Sequence, residues 1–238
     1  MRTGKAAGVS GWRLLLALVV WAALAGVLFL AVLLVARVLA PDWASGHRAD
    51  LSAMLIAGAY VALLVALLLA FGGPAGVRDR LGFRYTSAGD LGGALAIWFG
   101  ALVVGGIAEQ LLSPVLGRPE SNASSLLRQS FDPLFVALVV PTVCLLAPAC
   151  EELLFRGALF GWLRRRLPAL VVVPVTAGLF AAAHLLPPLV PLLFVFGLGT
   201  AWVRERTGST LNSFAMHATQ NTFAVAVTYV VLSQGGGR

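Results

Sequence analysis

Seven long apolar stretches constrain the fold of this chain more than any other feature. The first, from Leu14 to Ala36, runs for 23 residues without a charged side chain. As a helix it would extend about 34 Å, enough to cross the roughly 30 Å apolar core of a bilayer. It is also too long for the h-region of a secretory signal, which has roughly 7–15 residues. We therefore expect a retained membrane anchor.

The later apolar stretches predict further crossings. The fourth is too long for one straight crossing, and Pro141 and Pro148 inside it predict a kink or an interfacial portion, where an eighth span or a re-entrant piece could lie. We predict an all-α, polytopic transmembrane helical bundle of about seven to eight spans, forming a single domain over residues 1–238. The six stretches after the first are 51–71, 91–112, 133–162, 167–186, 189–203 and 211–232.

The composition and the charge pattern agree with a membrane protein. Of the residues 59% are hydrophobic and 11% are charged, against about 25% charged in soluble domains. The net charge of +7 comes from basic residues in short clusters between apolar runs, which orient helices and do not indicate a nucleic-acid partner. If the N-terminus is cytoplasmic, 12 of the 17 Lys and Arg residues face the cytoplasm. We therefore predict a multi-pass cell-membrane protein with its N-terminus inside and, for seven spans, its C-terminus outside.

The cysteines and the common metal motifs suggest neither redox nor zinc chemistry. Cys144 and Cys150 lie six residues apart in one apolar stretch, so on a helix they point to different faces and cannot form a disulfide with each other. The chain has no CxxC or HExxH motif. We expect no cofactor and no metal.

Polar side chains inside the apolar stretches are costly in a bilayer and therefore informative. Glu152 and Arg156 lie four residues apart, so they share a helix face and can form an ion pair, whereas Glu151 points about 100° away from that pair. We expect Glu152 and Arg156 to be mainly structural. His217 and Asn221 are also four apart and project together, which lets both donate hydrogen bonds to one point.

Three of these positions fall at similar depths when counted from the nearest cytoplasmic arginines. Glu151 lies about 20 Å above them, His217 about 16 Å, and His184 at most about 27 Å. A turn at Pro168 would lower His184 toward the other two. Either histidine alone could simply hydrogen-bond a neighbouring helix, and Glu109, at the end of its span, fits an interfacial residue. The whole set at one depth predicts a functional site.

The ordered motifs resemble those of a known family. "EELLFR" reads as EExxxR, "FAAAH" as FxxxH, with Phe180 and His184, and "HATQN" as HxxxN, on successive apolar helices. Together they resemble the CPBP family, the type II CAAX prenyl endopeptidases and the bacteriocin-processing or abortive-infection proteins. The resemblance covers about the second half of the chain, from Pro133, with a motif-bearing core at about 133–232, and the first three spans match no motif.

The resemblance implies an intramembrane glutamic endopeptidase of about eight helices, whose polar cavity is reached from the cytosol. By similarity, Glu151 and His184 would activate the water, and His217 and Asn221 would form the oxyanion site. Glu152 completes the catalytic set that we predict, with Arg156 and Phe180 in structural support. Peptide hydrolysis needs such a base, such donors and an acid for the leaving amine.

Other functions fit parts of the same pattern. A metalloprotease could use Glu151, Glu152, His184 and His217 as ligands. A membrane scaffold or immunity protein could use the polar cluster only to hold helices together, and a transporter is a further alternative. The expected partners are the lipid bilayer and a peptide or protein substrate at the membrane. Prenylated CAAX tails, double-glycine leader peptides and membrane-bound regulators all fit a cavity open to the cytosol.

Overall fold

The protein is built of helices joined by short connections. A computed structural model describes residues 9–39, 41–117, 127, 130 and 132–235, and no β-strand occurs in these ranges. The predicted all-α helical bundle is confirmed. The helices, numbered in chain order, are α1 (Gly11–Leu34, continued by a π-helical turn Val35–Leu39), α2 (Pro41–Gly46), α3 (Arg48–Phe71), α4 (Gly73–Arg80), α5 (Ala88–Leu116), α6 (Pro133–Leu163), α7 (Ala169–Ala183), α8 (Val190–Thr207) and α9 (Thr210–Gly235).

Each of the seven apolar stretches coincides with a helix. Within the described ranges, five helices are long and apolar enough to cross a membrane, namely α1, α3, α5, α6 and α8, the last with the preceding turn Pro187–Leu189. Helix α7 is apolar but has 15 residues, short of the roughly 20 that a crossing needs. Helix α9 has 26 residues but carries His217, Gln220 and Asn221 inside its apolar sequence. The exact number of spans stays a prediction.

Helix α6 runs continuously for 31 residues and contains two π-helical segments. Pro141 precedes a π-helical segment, Thr142–Leu146, which closes with the Ala147 N–H donating to the Thr142 carbonyl five residues back. Proline has no N–H and its ring displaces the preceding turn, so a helix that continues past Pro141 and Pro148 must adjust its pattern. A second π-helical segment, Leu153–Leu159, begins directly after Glu152. The long stretch is therefore one irregular helix, with the two glutamates between its π segments.

Helix α6 lies between two groups of helices. On one side it contacts α3, which packs along α1, and on the other side it contacts α9, which packs with α5 and α8. One apolar core lies under α1 and α3 and includes Leu67, Phe71 and Leu153. Another lies between α5, α7, α8 and α9 and includes Phe180 and Met216. A side chain on α6 can therefore meet residues from both groups.

The arginines at the C-terminal ends of α4, α6 and α8 lie at one end of the bundle. Arg164 pairs with Glu205 at 2.9 Å, joining the ends of α6 and α8. The Arg204 Nε donates to the Arg156 carbonyl at 3.1 Å, and the Ser209 hydroxyl donates to the Arg84 carbonyl at 2.6 Å. This shared end agrees with the charge count of the sequence, and its cytoplasmic orientation stays a prediction.

Candidate active site

The adjacent glutamates of α6 have different surroundings. The Glu152 side chain is completely buried, whereas the Glu151 side chain is 17% exposed and lines two cavities. Successive residues of a helix are rotated by about 100°, so one carboxylate faces the protein interior and the other faces open space. Only Glu151 of this pair can reach a molecule in either cavity.

Arg156 holds the buried carboxylate. Its Nη1 lies 3.2 Å from the Glu152 Oε1, and neither side chain is exposed. Its Nη2 donates to the Gly197 carbonyl at 3.1 Å, and its Cζ lies 4.4 Å from the centre of the Phe180 ring. The ion pair expected from the spacing is thus present. It is enclosed by a carbonyl from α8 and an aromatic face from α7.

Helices α7 and α8 pack closely at Gly197, the residue whose carbonyl binds Arg156. A Cβ on Gly197 would lie 3.0 Å from the Ala177 Cα, closer than normal packing allows. The absence of a side chain therefore brings the α8 backbone, with the carbonyl that binds Arg156, against α7.

His217 connects the two glutamates from α9. Its Nδ1 lies 3.0 Å from the Glu152 Oε1, and its Nε2 lies 3.9 Å from the Glu151 Oε2. Since the Glu152 carboxylate accepts hydrogen bonds, the Nδ1 carries the proton of this contact. The arrangement fixes the imidazole ring and turns the Nε2 toward Glu151 and the cavity that both residues line.

His184 lies at the C-terminal end of α7. Its Nδ1 donates to the Phe180 carbonyl at 2.9 Å, a bond that leaves the Nε2 of the neutral ring as an acceptor. The Phe180 ring meets His184 at 4.8 Å and His217 at 5.6 Å, in both cases edge to face. Phe180 therefore packs against both histidines and fixes their separation.

Asn221 lines the same cavity and also contacts α6. Its Nδ2 donates to the Val143 carbonyl at 2.9 Å, at the first π segment. A side-chain amide has two N–H groups, so one is used between helices and one remains for another acceptor.

Two cavities meet at these residues. The first, of about 390 Å³, is lined by Glu151, His184, His217 and Asn221 together with apolar side chains. The second, of about 540 Å³, extends toward Trp21 on α1 and is mostly apolar. Four residues line both cavities: Ile56, Tyr60, Glu151 and His184. Of the predicted catalytic residues, Glu152 lines neither cavity.

Tyr60 is a site residue that sequence reasoning missed. Its hydroxyl donates to the Glu151 Oε1 at 2.6 Å across 91 positions of sequence. Tyrosines of membrane helices concentrate at the interfaces, so the position of Tyr60 midway along α3 is the one signal that could have singled it out. The predicted catalytic residues, apart from the buried Glu152, line the first cavity.

The carboxylates and imidazoles do not form a ready metal site. Among the residues with described positions, no three His, Cys, Asp or Glu side chains are arranged to hold a metal ion. Glu152 already shares one oxygen between Arg156 and His217.

A comparison with known families matches the part of the chain that carries these residues. Residues 133–223, which carry all three motifs, match the family model described as type II CAAX prenyl endopeptidase, Rce1-like. The match covers fewer than half of the residues of the chain. It confirms that the three motifs resemble those of the type II CAAX prenyl endopeptidases. No curated protein and no solved structure matches the chain.

The match to this family model indicates an enzyme of the CAAX-protease type, and the five long apolar helices of the described residues indicate a multi-pass membrane protein. The matched residues include α6, α7, α8 and the first half of α9, and therefore every predicted site residue. Tyr60 and Trp21 lie outside the match and complete the walls of the cavities.

Proposed function

We propose that this protein is an intramembrane endopeptidase that hydrolyses a peptide bond of a membrane-associated or lipidated substrate. The observation that carries the proposal is that Glu151 and His184, from different helices, both line the two cavities where these meet. A peptide bond placed at this junction would have a carboxylate and an imidazole beside it and buried donors nearby. This is the set of groups that water-mediated peptide hydrolysis requires.

Glu151 is the base in this proposal, and His184 orients the water. The His184 Nδ1 is bound to the Phe180 carbonyl, so its Nε2 can accept a hydrogen bond from water. A water held between this nitrogen and the Glu151 carboxylate gives its proton to the carboxylate as its oxygen attacks the carbonyl carbon. The protonated Glu151 then returns that proton to the leaving amine, which balances the reaction.

His217 and Asn221 polarise the carbonyl oxygen of the substrate. With Nδ1 bound to Glu152, His217 can donate from Nε2 only as an imidazolium. Two carboxylates, one guanidinium and one imidazolium then sum to zero charge, which is the arrangement that a poorly solvated site tolerates. The free N–H of Asn221 supplies a second donor to the developing oxyanion.

Glu152 and Arg156 support the site from below. Their ion pair is completely buried and reaches the cavity only through His217. The pair thereby holds the imidazole ring in the orientation that the oxyanion role needs.

The test is cleavage by the purified full-length protein in lipid nanodiscs. Two internally quenched peptides serve as substrates, one ending in an S-farnesylated CAAX sequence and one containing a double-glycine leader. We expect cleavage of at least one by the wild type, and a loss of at least about 1,000-fold in kcat for Glu151→Gln, since the general base is removed. Sequencing of the new N-terminus identifies the bond.

Glu109→Gln is the matched control. Glu109 is a partly buried carboxylate of α5 that lines neither cavity, so this variant should keep its activity. Equal activity of Glu151→Gln and the wild type would contradict the proposal and favour a scaffold or immunity protein. If neither peptide is cleaved, comparison of the N-termini in membranes that contain wild-type or Glu151→Gln protein gives the deciding readout, and identical sets would also contradict it.

A further inference from the structure

The residues that match the family model do not include all the groups that touch Glu151. Tyr60 lies on α3, upstream of residues 133–223, and its hydroxyl donates to the Glu151 Oε1 at 2.6 Å. This distance is typical of a charge-assisted O–H···O⁻ hydrogen bond to a carboxylate. The first three spans, which carry no family motif, therefore reach the reacting carboxylate.

The backbone around Tyr60 is fixed on both sides. The Trp21 indole Nε1 of α1 donates to the Ala59 carbonyl at 3.0 Å. The Cys150 thiol of α6 donates to the Tyr60 carbonyl at 3.3 Å. Since Cys150 directly precedes Glu151, a second hydrogen bond holds the Tyr60 backbone to α6 next to the carboxylate.

The hydrogen bond restricts the orientation of the carboxylate. The terminal torsion of a glutamate side chain is broad and poorly defined on its own. With Oε1 held by Tyr60, Oε2 remains on the side of His217, 3.9 Å from its Nε2. Tyr60 lines both cavities, as Glu151 does, so it lies beside the position that the attacking water would take.

We propose that Tyr60 is a positioning residue for Glu151, which fixes one carboxylate oxygen so that the other faces the water and the substrate. The inference rests on the proposed function, because it assigns Tyr60 a role in the reaction that Glu151 would perform. It also gives the unmatched first half of the chain a part in catalysis. Misplacement of a reacting group by about 1 Å can cost on the order of 100-fold in rate.

The experiment compares Tyr60→Phe with the wild type on whichever peptide the wild type cleaves. Phenylalanine keeps the ring and removes the hydroxyl. We expect kcat to fall by about 10- to 100-fold, in line with the loss of a hydrogen bond to a charged group, while KM changes less than about threefold. Tyr85→Phe removes the same hydroxyl from an exposed loop position and should leave both constants unchanged.

A second comparison separates positioning from general stabilisation. In Glu151→Asp the side chain is one methylene shorter, so the carboxylate no longer reaches the Tyr60 hydroxyl. Adding Tyr60→Phe to this variant should therefore change kcat by less than about threefold. Equal losses in the wild-type and Glu151→Asp backgrounds would contradict the inference, as would a Tyr60→Phe variant with wild-type kcat.

The design also covers misfolding and failure of the proposed function. If Tyr60→Phe does not elute as a single folded species, 4-aminophenylalanine at position 60 restores a donor at the same place. We expect it to recover kcat to within about fivefold of the wild type, and a folded but inactive protein would overturn the inference. Activity that survives in Glu151→Gln refutes the proposed function itself, whereas an inactive Glu151→Gln beside a fully active Tyr60→Phe refutes only the role of Tyr60.

Discussion

Removal of the buried carboxylate at position 152 should destabilise the protein as well as inactivate it. In Glu152→Ala, Arg156 would lose its ion-pair partner while its side chain stays at zero exposure. Its Nε has no hydrogen-bond partner among the described residues even in the native protein, so the Gly197 carbonyl would be its one remaining polar contact there. Breaking a buried ion pair from one side costs roughly 3–5 kcal/mol.

That cost converts to a measurable change in melting temperature. For a chain of this size, 1 kcal/mol shifts Tm by about 2–4 °C, so we expect Tm to fall by roughly 6–20 °C. The assay is thermal unfolding of the purified protein in detergent, followed by intrinsic fluorescence and by recovery on size exclusion. The double variant Glu152→Gln with Arg156→Met removes both charges and should recover part of the loss.

The exposed pair Arg164 and Glu205 provides the matched control. It is also an arginine–glutamate pair, with N–O contact at 2.9 Å, but its side chains are 41% and 24% exposed. Such pairs contribute about 0.2–1 kcal/mol, so Glu205→Ala should lower Tm by less than about 4 °C. If Glu152→Ala lowers Tm no more than Glu205→Ala but abolishes cleavage, the structural role of Glu152 is refuted and the residue belongs with the reacting groups.

Three further predictions follow from the site and the charge pattern. Asn221→Ala should lower kcat in the folded fraction by about 100- to 1,000-fold with little change in KM, because an oxyanion donor acts mainly on the transition state; a near-normal kcat with a lower Tm would restrict Asn221 to its bond with Val143. Cleavage should persist at full rate after incubation with a strong zinc chelator, since we assign water activation to Glu151 and His184, and a loss that added zinc restores would favour the metalloprotease. A cysteine introduced at Arg165 in a cysteine-free background should react with a membrane-impermeant maleimide only after the cytoplasmic face is opened, and labelling of intact cells would reverse the predicted orientation.

The sequence determined the helices and the local pairs of this protein. The bilayer core offers no water to the backbone N–H and C=O groups, so an isolated run of 23 uncharged residues must form a helix, in which these groups bond within the segment. The ion pair of Glu152 and Arg156 was also predictable, since residues four apart share a helix face whatever surrounds them. The same holds for His184 and the Phe180 carbonyl, again four residues apart.

The tertiary structure decided which helix faces meet, and so which of these residues act together. Glu152 and His217 lie 65 positions apart, and Glu151 and Tyr60 lie 91 apart. Helix periodicity gives the face of each side chain but not the rotation and depth at which two helices pack, which depend on close approaches such as Gly197 against Ala177. The π segments of α6 add to this, because each shifts the following residues around the helix axis relative to a regular α-helix. For that reason the motif residues could be recognised in the sequence, whereas the contact between Glu151 and Tyr60 of α3 could not be predicted from it.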